Sequence, residues 1–317
     1  MLFHREFQAR DYSLMKNTLI VITGPTAVGK TALCIDIAKK YGIPIINADS
    51  RQIYKGLEIG TAAPTKEQQR DVRHYFVGAL DLSDYYNASM YEQDVMNILN
   101  ELFNDNNIAL MSGGSMMYID SVCNGIDDIP TIEPEIRDML KKRFEQDGLD
   151  RMLEELRILD PEYYNIVDKR NYRRVIHGLE ICYQTGKTYT HFRKNNKKER
   201  PFNIIKIALN RPREELYERI NKRVDEMISL GLVNEAKQFY EYRELNALNS
   251  VGYKEIFDFL DGKYSLGEAI EHIKSNTRRY ARKQLTWYRR DKDVYWANPD
   301  NKEEIMNYIS HKYEQKS

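Results

Sequence analysis

Three cysteines in 317 residues, Cys34, Cys123 and Cys182, are too few and too far apart for a disulfide framework, and no CxxC pair offers half of a zinc site. That usage fits a reducing compartment, so a cytoplasmic location is the expectation. No apolar run approaches the roughly 20 residues of a membrane span. The opening Met1 to Arg10 carries charges where a signal peptide would be apolar, so residues 1–16 read as an N-terminal extension and no membrane partner is expected. An excess of one charge is also missing, because 48 Lys and Arg balance 48 Asp and Glu. A polyanion must then be met by local clusters rather than by a global field. The chain holds no internal repeat and no low-complexity tract.

The strongest positive signal is Gly24-Pro-Thr-Ala-Val-Gly-Lys-Thr31, which follows the apolar run Thr18 to Thr23 and precedes the helix-like Ala32 to Lys39. Strand, glycine-rich turn and helix form a phosphate cradle. Gly24 and Gly29 let successive N–H groups converge, Lys30 reaches the outer phosphates, and Thr31 offers a hydroxyl to Mg²⁺. The loop predicts a bound di- or triphosphate and leaves the reaction open.

Ile43 to Ala48 reads as a second buried strand, delivering Asp49, Ser50, Arg51 and Gln52 at the edge where open α/β sheets bind ligands. Asp49 there suits a Mg²⁺ ligand, a general base or a turn cap. The segment Ile53 to Pro64 reads as an ordered loop in contact with substrate. His74 to Gly78 is a short strand, Tyr91 to Phe103 a helix, and Ile108 to Ser112 a strand ending in Gly113, Gly114 and Ser115. No acid ends that strand, so the usual second magnesium ligand of P-loop ATPases is missing there.

From Pro130 to about Arg200 the pattern turns charged and helical, which predicts a helical insertion at 131–200 in an α/β core formed by 17–130 and 201–317. Within it Lys169, Arg170, Arg173 and Arg174 cluster ahead of His177, a pattern that also suits a solvated helix face. Lys194 to Arg200 reads as a flexible basic loop, and Phe202 to Leu209 as a returning strand. Arg213 to Tyr242 predicts a long amphipathic helix broken near Gly231, with Arg219 and Arg223 one turn apart. Thr277 to Arg290 mixes six cations with three aromatics and no acid, which suits phosphate and base contact. Asn301 to Tyr313 is a final amphipathic helix.

The P-loop, Asp49-Ser-Arg-Gln-Ile-Tyr54 with Gly56 and Ile59-Gly-Thr-Ala62, Gly113-Gly114, Leu216 to Met227, Val251-Gly-Tyr-Lys254 and Arg282-Lys-Gln-Leu-Thr-Trp287 together resemble the tRNA dimethylallyltransferases. The resemblance runs from about Leu19 to Arg290. It implies a P-loop NTPase-like parallel sheet with a helical insertion that binds tRNA. It further implies transfer of a dimethylallyl group from its diphosphate to the exocyclic amine of the adenosine beside the tRNA anticodon, with release of diphosphate. Asp49 is then the general base, acting with Lys30 and Thr31. Gly24, Thr26, Ala27, Val28, Gly29, Lys30, Thr31 and Arg223 would hold diphosphate, with Mg²⁺ on Thr31. Asp49, Ser50, Arg51, Gln52, Ser115, Arg137, Arg173, Arg174, Val175, Ile176, His177 and Lys254 would contact the anticodon stem-loop of a tRNA, and the enzyme would be a monomer.

Four positions depart from the family pattern. Ser115 stands for Thr, Ala63 for Lys, His177 for Arg and Lys254 for Arg. The last exchange keeps charge and loses a bidentate fork. Competing readings are transfer of the same group to free AMP, a P-loop small-molecule kinase, and a non-enzymatic RNA-binding module with a nucleotide-sensing loop.

Overall fold

The computed structural model describes residues 17–194 and 197–315, so the expected extension at 1–16 and two positions of the basic loop lie outside the described residues. The chain divides into two compact units, one running to Cys123 and resuming at Arg200, the other Asn124–Glu199.

The first unit is an α/β sandwich. Strand β1 is Thr18–Thr23, followed by α1 (Lys30–Tyr41), β2 (Ile45–Asn47), α2 (Lys66–Asp71), β3 (His74–Tyr75), α3 (Ala88–Asp105), β4 (Ile108–Ser112) and α4 (Met116–Asn124). Six strands, counting two introduced below, lie in the order β3-β2-β4-β1-β5-β6, and every pairing is parallel. Both faces of β1 are buried. Ile20 and Ile22 pack under Leu33 and Ile37 of α1, while Leu19 and Val21 pack with Tyr91, Val95 and Leu99 of α3. This double burial explains the continuous apolar run, with each such side chain worth about 1.5–3 kcal/mol. Strand β2 is shorter than its apolar run because only Ile45–Asn47 finds ladder partners, all three on β4 and Ile45 and Ile46 also on β3.

In the second unit α5 (Pro134–Leu159) bends at Gly148, whose φ is 75°, and is followed by α6 (Pro161–Ile166), α7 (Tyr172–Thr185) and α8 (Tyr189–Phe192). Its own core comprises Leu140, Met152, Leu156, Tyr163, Val167, Val175 and Leu179.

The chain re-enters the sheet as β5 (Asn203–Leu209), then forms α9 (Arg213–Ser229), α10 (Leu232–Gln238), α11 (Tyr253–Leu260), α12 (Leu266–Tyr288), β6 (Tyr295–Ala297) and α13 (Lys302–Gln315). The long helix expected over 213–242 is split because Gly231 takes a left-handed φ of 102°, after which α10 turns its own apolar face inward. Strand β6 was not anticipated. The basic loop is corrected in part, since Lys198 pairs with Asp128 at 2.7 Å and the Arg200 guanidinium is buried against Glu92 at 2.6 Å. No helix among the described residues is long and apolar enough to cross a membrane.

Candidate active site

The chain crosses from one side of β1 to the other between β4 and β5, and the three turns after β1, β2 and β4 gather at that C-terminal sheet edge. The turn after β1 is the phosphate loop. Gly24 has φ 144°, and a Cβ there would lie 2.7 Å from the Leu209 carbonyl oxygen. Ala27 is left-handed at φ 63°, strain that a non-glycine residue keeps only where its surroundings hold it. Those surroundings are specific. Arg219 Nε donates to the Ala27 carbonyl at 2.9 Å, and Arg211 Nε donates to the Val28 carbonyl at 2.9 Å. Arg211 is itself fixed by Asp300 at 2.6 Å. The Thr26 N–H donates to Gln284 Oε1 at 2.9 Å, and Arg223 NH1 donates to Thr26 Oγ1 at 3.3 Å.

Lys30 Nζ folds back onto the loop, donating to the carbonyls of Gly24 at 3.0 Å and Pro25 at 2.9 Å. Burial, helped by the nearby Arg223 cation and opposed by Asp49, pulls its pKa down to about 8. Burial also lowers Arg223, against the attraction of Asp49 and then Glu226. Two cations held beside one another in this way await an anion.

Asp49 faces them from the end of β2. Its Oδ1 accepts the N–H groups of Arg51 at 2.9 Å and Gln52 at 3.3 Å, so it caps its own turn. Among the described residues its Oδ2 takes no hydrogen bond, and Asp49 lines the cavity. Gln52 Nε2 donates to the carbonyls of Thr61 at 3.0 Å and Ala62 at 3.2 Å, which Arg223 NH2 also approaches at 3.5 Å. Ala62 is left-handed at φ 46°, so two of the strained residues belong to the site walls.

The loop carrying them is anchored from α10. Glu235 of α10 accepts the N–H groups of Ile59 at 2.8 Å and Gly60 at 2.7 Å and the Tyr253 hydroxyl at 2.6 Å. Tyr253 presses so closely on Gly60 that a Cβ there would sit 2.5 Å from its ring.

A cavity of about 1050 Å³ lies between these walls. Thr26, Ala27, Gly29, Lys30, Thr31, Asp49, Gln52, Arg219 and Arg223 line it, with Tyr280 and Gln284 contributed by α12. Several expected contacts fall elsewhere. Val28 and Val175 bury their side chains in the cores, the Val28 N–H donates to the Pro25 carbonyl at 3.4 Å, and Ile176 packs on the same core as Val175. Thr26 cannot give its N–H to a phosphate while Gln284 holds it. Ser115 is only 8% exposed, with its hydroxyl accepting the Ser50 N–H at 2.8 Å and donating to Ser50 Oγ at 3.1 Å. Arg51 turns away to the Asn246 carbonyl at 2.7 Å. Lys254 is exposed on α11 and does not line the cavity.

The basic run at 277–290 is not one cationic face. Arg278 donates to Asn221 and Arg282 to the Tyr217 hydroxyl at 2.9 Å, while Gln284 and Tyr288 turn inward. In the second unit, Arg137 pairs with Glu180 at 3.6 Å and His177 Nδ1 lies 3.1 Å from the same carboxylate, leaving Arg173 and Arg174 exposed. Gln284, Glu235 and Arg211 escaped sequence reading. The first is an amide that directly follows Arg282 and Lys283 in a cationic run, and only that placement could have marked it.

The described residues include no cluster of three or more His, Cys, Asp or Glu able to hold a metal. The Thr31 hydroxyl at the cavity wall fits Mg²⁺ of the kind carried mainly by substrate phosphates and water.

A phosphate loop, two crowded cations and a facing carboxylate at a parallel-sheet edge define a P-loop-like α/β protein whose cavity is suited to a phosphate-bearing anion. The model of the IPP transferase family matches residues 52–291, and the chain belongs to that family. It is 58% identical over 295 residues to tRNA dimethylallyltransferase 1 of Phocaeicola vulgatus, covering 93% of this chain and 98% of the relative. It is similar in structure to the full-length tRNA isopentenylpyrophosphate transferase of Bacillus halodurans, with TM-score 0.70, 34% identity, and 95% and 98% of the two chains covered. A eukaryotic dimethylallyltransferase acting on tRNA aligns with TM-score 0.75 at 28% identity, over 89% of this chain and 74% of that one.

Proposed function

We propose that this enzyme, a tRNA prenyltransferase, moves a dimethylallyl group from dimethylallyl diphosphate to the exocyclic amine of the adenosine 3′ to the anticodon. The observation that carries the reading is the single cavity in which Lys30 and Arg223 face Asp49. An adenine exocyclic amine is a weak nucleophile because its lone pair is delocalised into the ring. As its nitrogen bonds the allylic carbon, the carbon–oxygen bond to diphosphate breaks and that electron pair leaves on oxygen. The amine proton passes to Asp49 Oδ2, while Oδ1 stays committed to the turn and fixes the carboxylate's direction.

Charge growing on the diphosphate is met by Lys30, Arg223 and the N–H groups of Gly29, Lys30 and Thr31. Thr31 would hold Mg²⁺, which supplies further neutralisation of that leaving group when bound. The absence of an acid after β4 agrees with a reaction that activates no water against a terminal phosphate. The base must leave the anticodon stack to enter such a cavity. The exposed Arg173 and Arg174 suit contact with the phosphates of the stem-loop. A monomer is the working unit in this reading.

The test is to incubate the chain and Mg²⁺ with labelled dimethylallyl diphosphate and either unmodified tRNA or AMP. Label in tRNA with none in AMP is the expected result. Label in AMP alone would replace the acceptor, and label in neither alongside ATP turnover would return the site to a kinase.

A further inference from the structure

We propose that Gln284 is a positioning residue that locks the phosphate loop to the turn after β4, so that the diphosphate cradle and the Asp49 turn keep one spacing. The proposal rests on the transfer reaction above. Gln284 is 1% exposed in a helix whose neighbours Arg278, Arg279, Arg282 and Lys283 are cations, and both ends of its amide are used. Oε1 accepts the Thr26 N–H at 2.9 Å, and Nε2 donates to the Gly114 carbonyl at 2.8 Å. The Tyr288 hydroxyl reaches the same carbonyl at 3.2 Å.

Contact with the turn is tight, since a Cβ on Gly114 would lie 2.5 Å from Nε2. The next residue, Ser115, holds Ser50 through its hydroxyl, and Ser50 adjoins Asp49. A continuous path thus runs from the loop that receives the leaving group to the carboxylate that receives the proton.

The chemistry of the amide is specific to the task. It offers one acceptor to an N–H and one donor to a carbonyl, whereas ionised Glu lacks the donor and Met has no donor and only a weak sulfur acceptor. A neutral group also places no negative charge beside a diphosphate. By tying up the Thr26 N–H, Gln284 fixes the loop entrance in one conformation before substrate arrives, and a misplacement of the order of 1 Å between donor and acceptor is costly in rate.

The experiment compares the native chain with Gln284→Met and Gln284→Glu in two assays. Calorimetric titration with inorganic pyrophosphate reads the loop without the reaction, and saturating transfer to tRNA reads the spacing. Gln284→Met should lower the transfer rate about 10- to 100-fold while KM for tRNA stays within about threefold, the split of a group felt mainly in the transition state. Pyrophosphate affinity should fall in the order native, Met, Glu. Ser115→Ala should cost much less in the Gln284→Met background than alone, because both changes loosen the same turn.

Transfer by Gln284→Met within about twofold of native, or losses that multiply independently with Ser115→Ala, would overturn the proposal. If the native chain binds pyrophosphate yet labels no tRNA, the transfer reading fails. The lock is then judged by the pyrophosphate order alone.

Discussion

Replacing Glu235 by Gln should loosen the loop at 59–62 from a distance. The carboxylate is 8% exposed and accepts three donors, the Ile59 and Gly60 N–H groups at 2.8 and 2.7 Å and the Tyr253 hydroxyl at 2.6 Å. Hydrogen bonds to a charged acceptor are worth roughly 1.5–3 kcal/mol each. An amide of the same shape offers one oxygen and turns an NH₂ toward a backbone N–H, so at least one bond is lost and a donor meets a donor. The cost is about 2–4 kcal/mol, which lowers the melting temperature of a unit this size by about 5–12 °C. Tyr253→Phe, which removes one donor, leaves the other two and brings no donor against a donor, should cost about 1.5–3 kcal/mol, less than Glu235→Gln. Thermal melts of the two variants give the comparison. The transfer rate of Glu235→Gln should fall as well, because the Thr61 and Ala62 carbonyls that receive Gln52 and Arg223 lose their anchor. A melt within about 1 °C of native with an unchanged rate would refute the reasoning.

Asp49→Ala should cut the transfer rate by about 10²–10⁴ while tRNA binding by filter retention is held, and an unchanged rate would remove it as base. Lys30, with its pKa lowered to about 8, is a cation below that pH and neutral above it. A bound diphosphate favours the cation, so binding takes up a proton above about pH 8 and affinity falls as pH rises through that value, by up to about tenfold per unit. Lys30→Arg should flatten this slope in pyrophosphate titrations, and an equal slope in both proteins would assign the proton elsewhere. At Gly113 an added Cβ would lie 2.1 Å from the Ala48 carbonyl oxygen, so Gly113→Ala should destabilise by more than about 3 kcal/mol. A melt close to native would show that the β2 and β4 ends can part.

The phosphate loop was legible because its chemistry is local. Gly24 and Gly29 take the positive φ that a tight phosphate loop requires, and alternation of Leu19 and Val21 against Ile20 and Ile22 explains why β1 reads as one apolar run. The three openings left for Asp49 were also local, and the structure fills one of them directly, the turn cap. What could not be read is partnership across the chain. Gln284 reaches Thr26 over 258 positions, and Glu235 reaches Ile59 over 176, so neither residue carries a neighbour that hints at its partner. The cations misled for the same reason. Arg51, Arg200 and Arg278 look like phosphate ligands in sequence, yet each finds a carbonyl, carboxylate or amide oxygen within the fold. Val175 was drawn in by its position between Arg174 and His177, whereas the helix period turns it into the core.

The most direct test of the central claim, that this phosphate loop serves a leaving diphosphate rather than a nucleotide, is stoichiometric. Under single turnover with unmodified tRNA, the diphosphate released and the dimethylallyl adenosine recovered from the tRNA should rise together in equal amounts, with no orthophosphate formed from added ATP. Orthophosphate appearing in step with product, or diphosphate released without a modified base, would contradict the account.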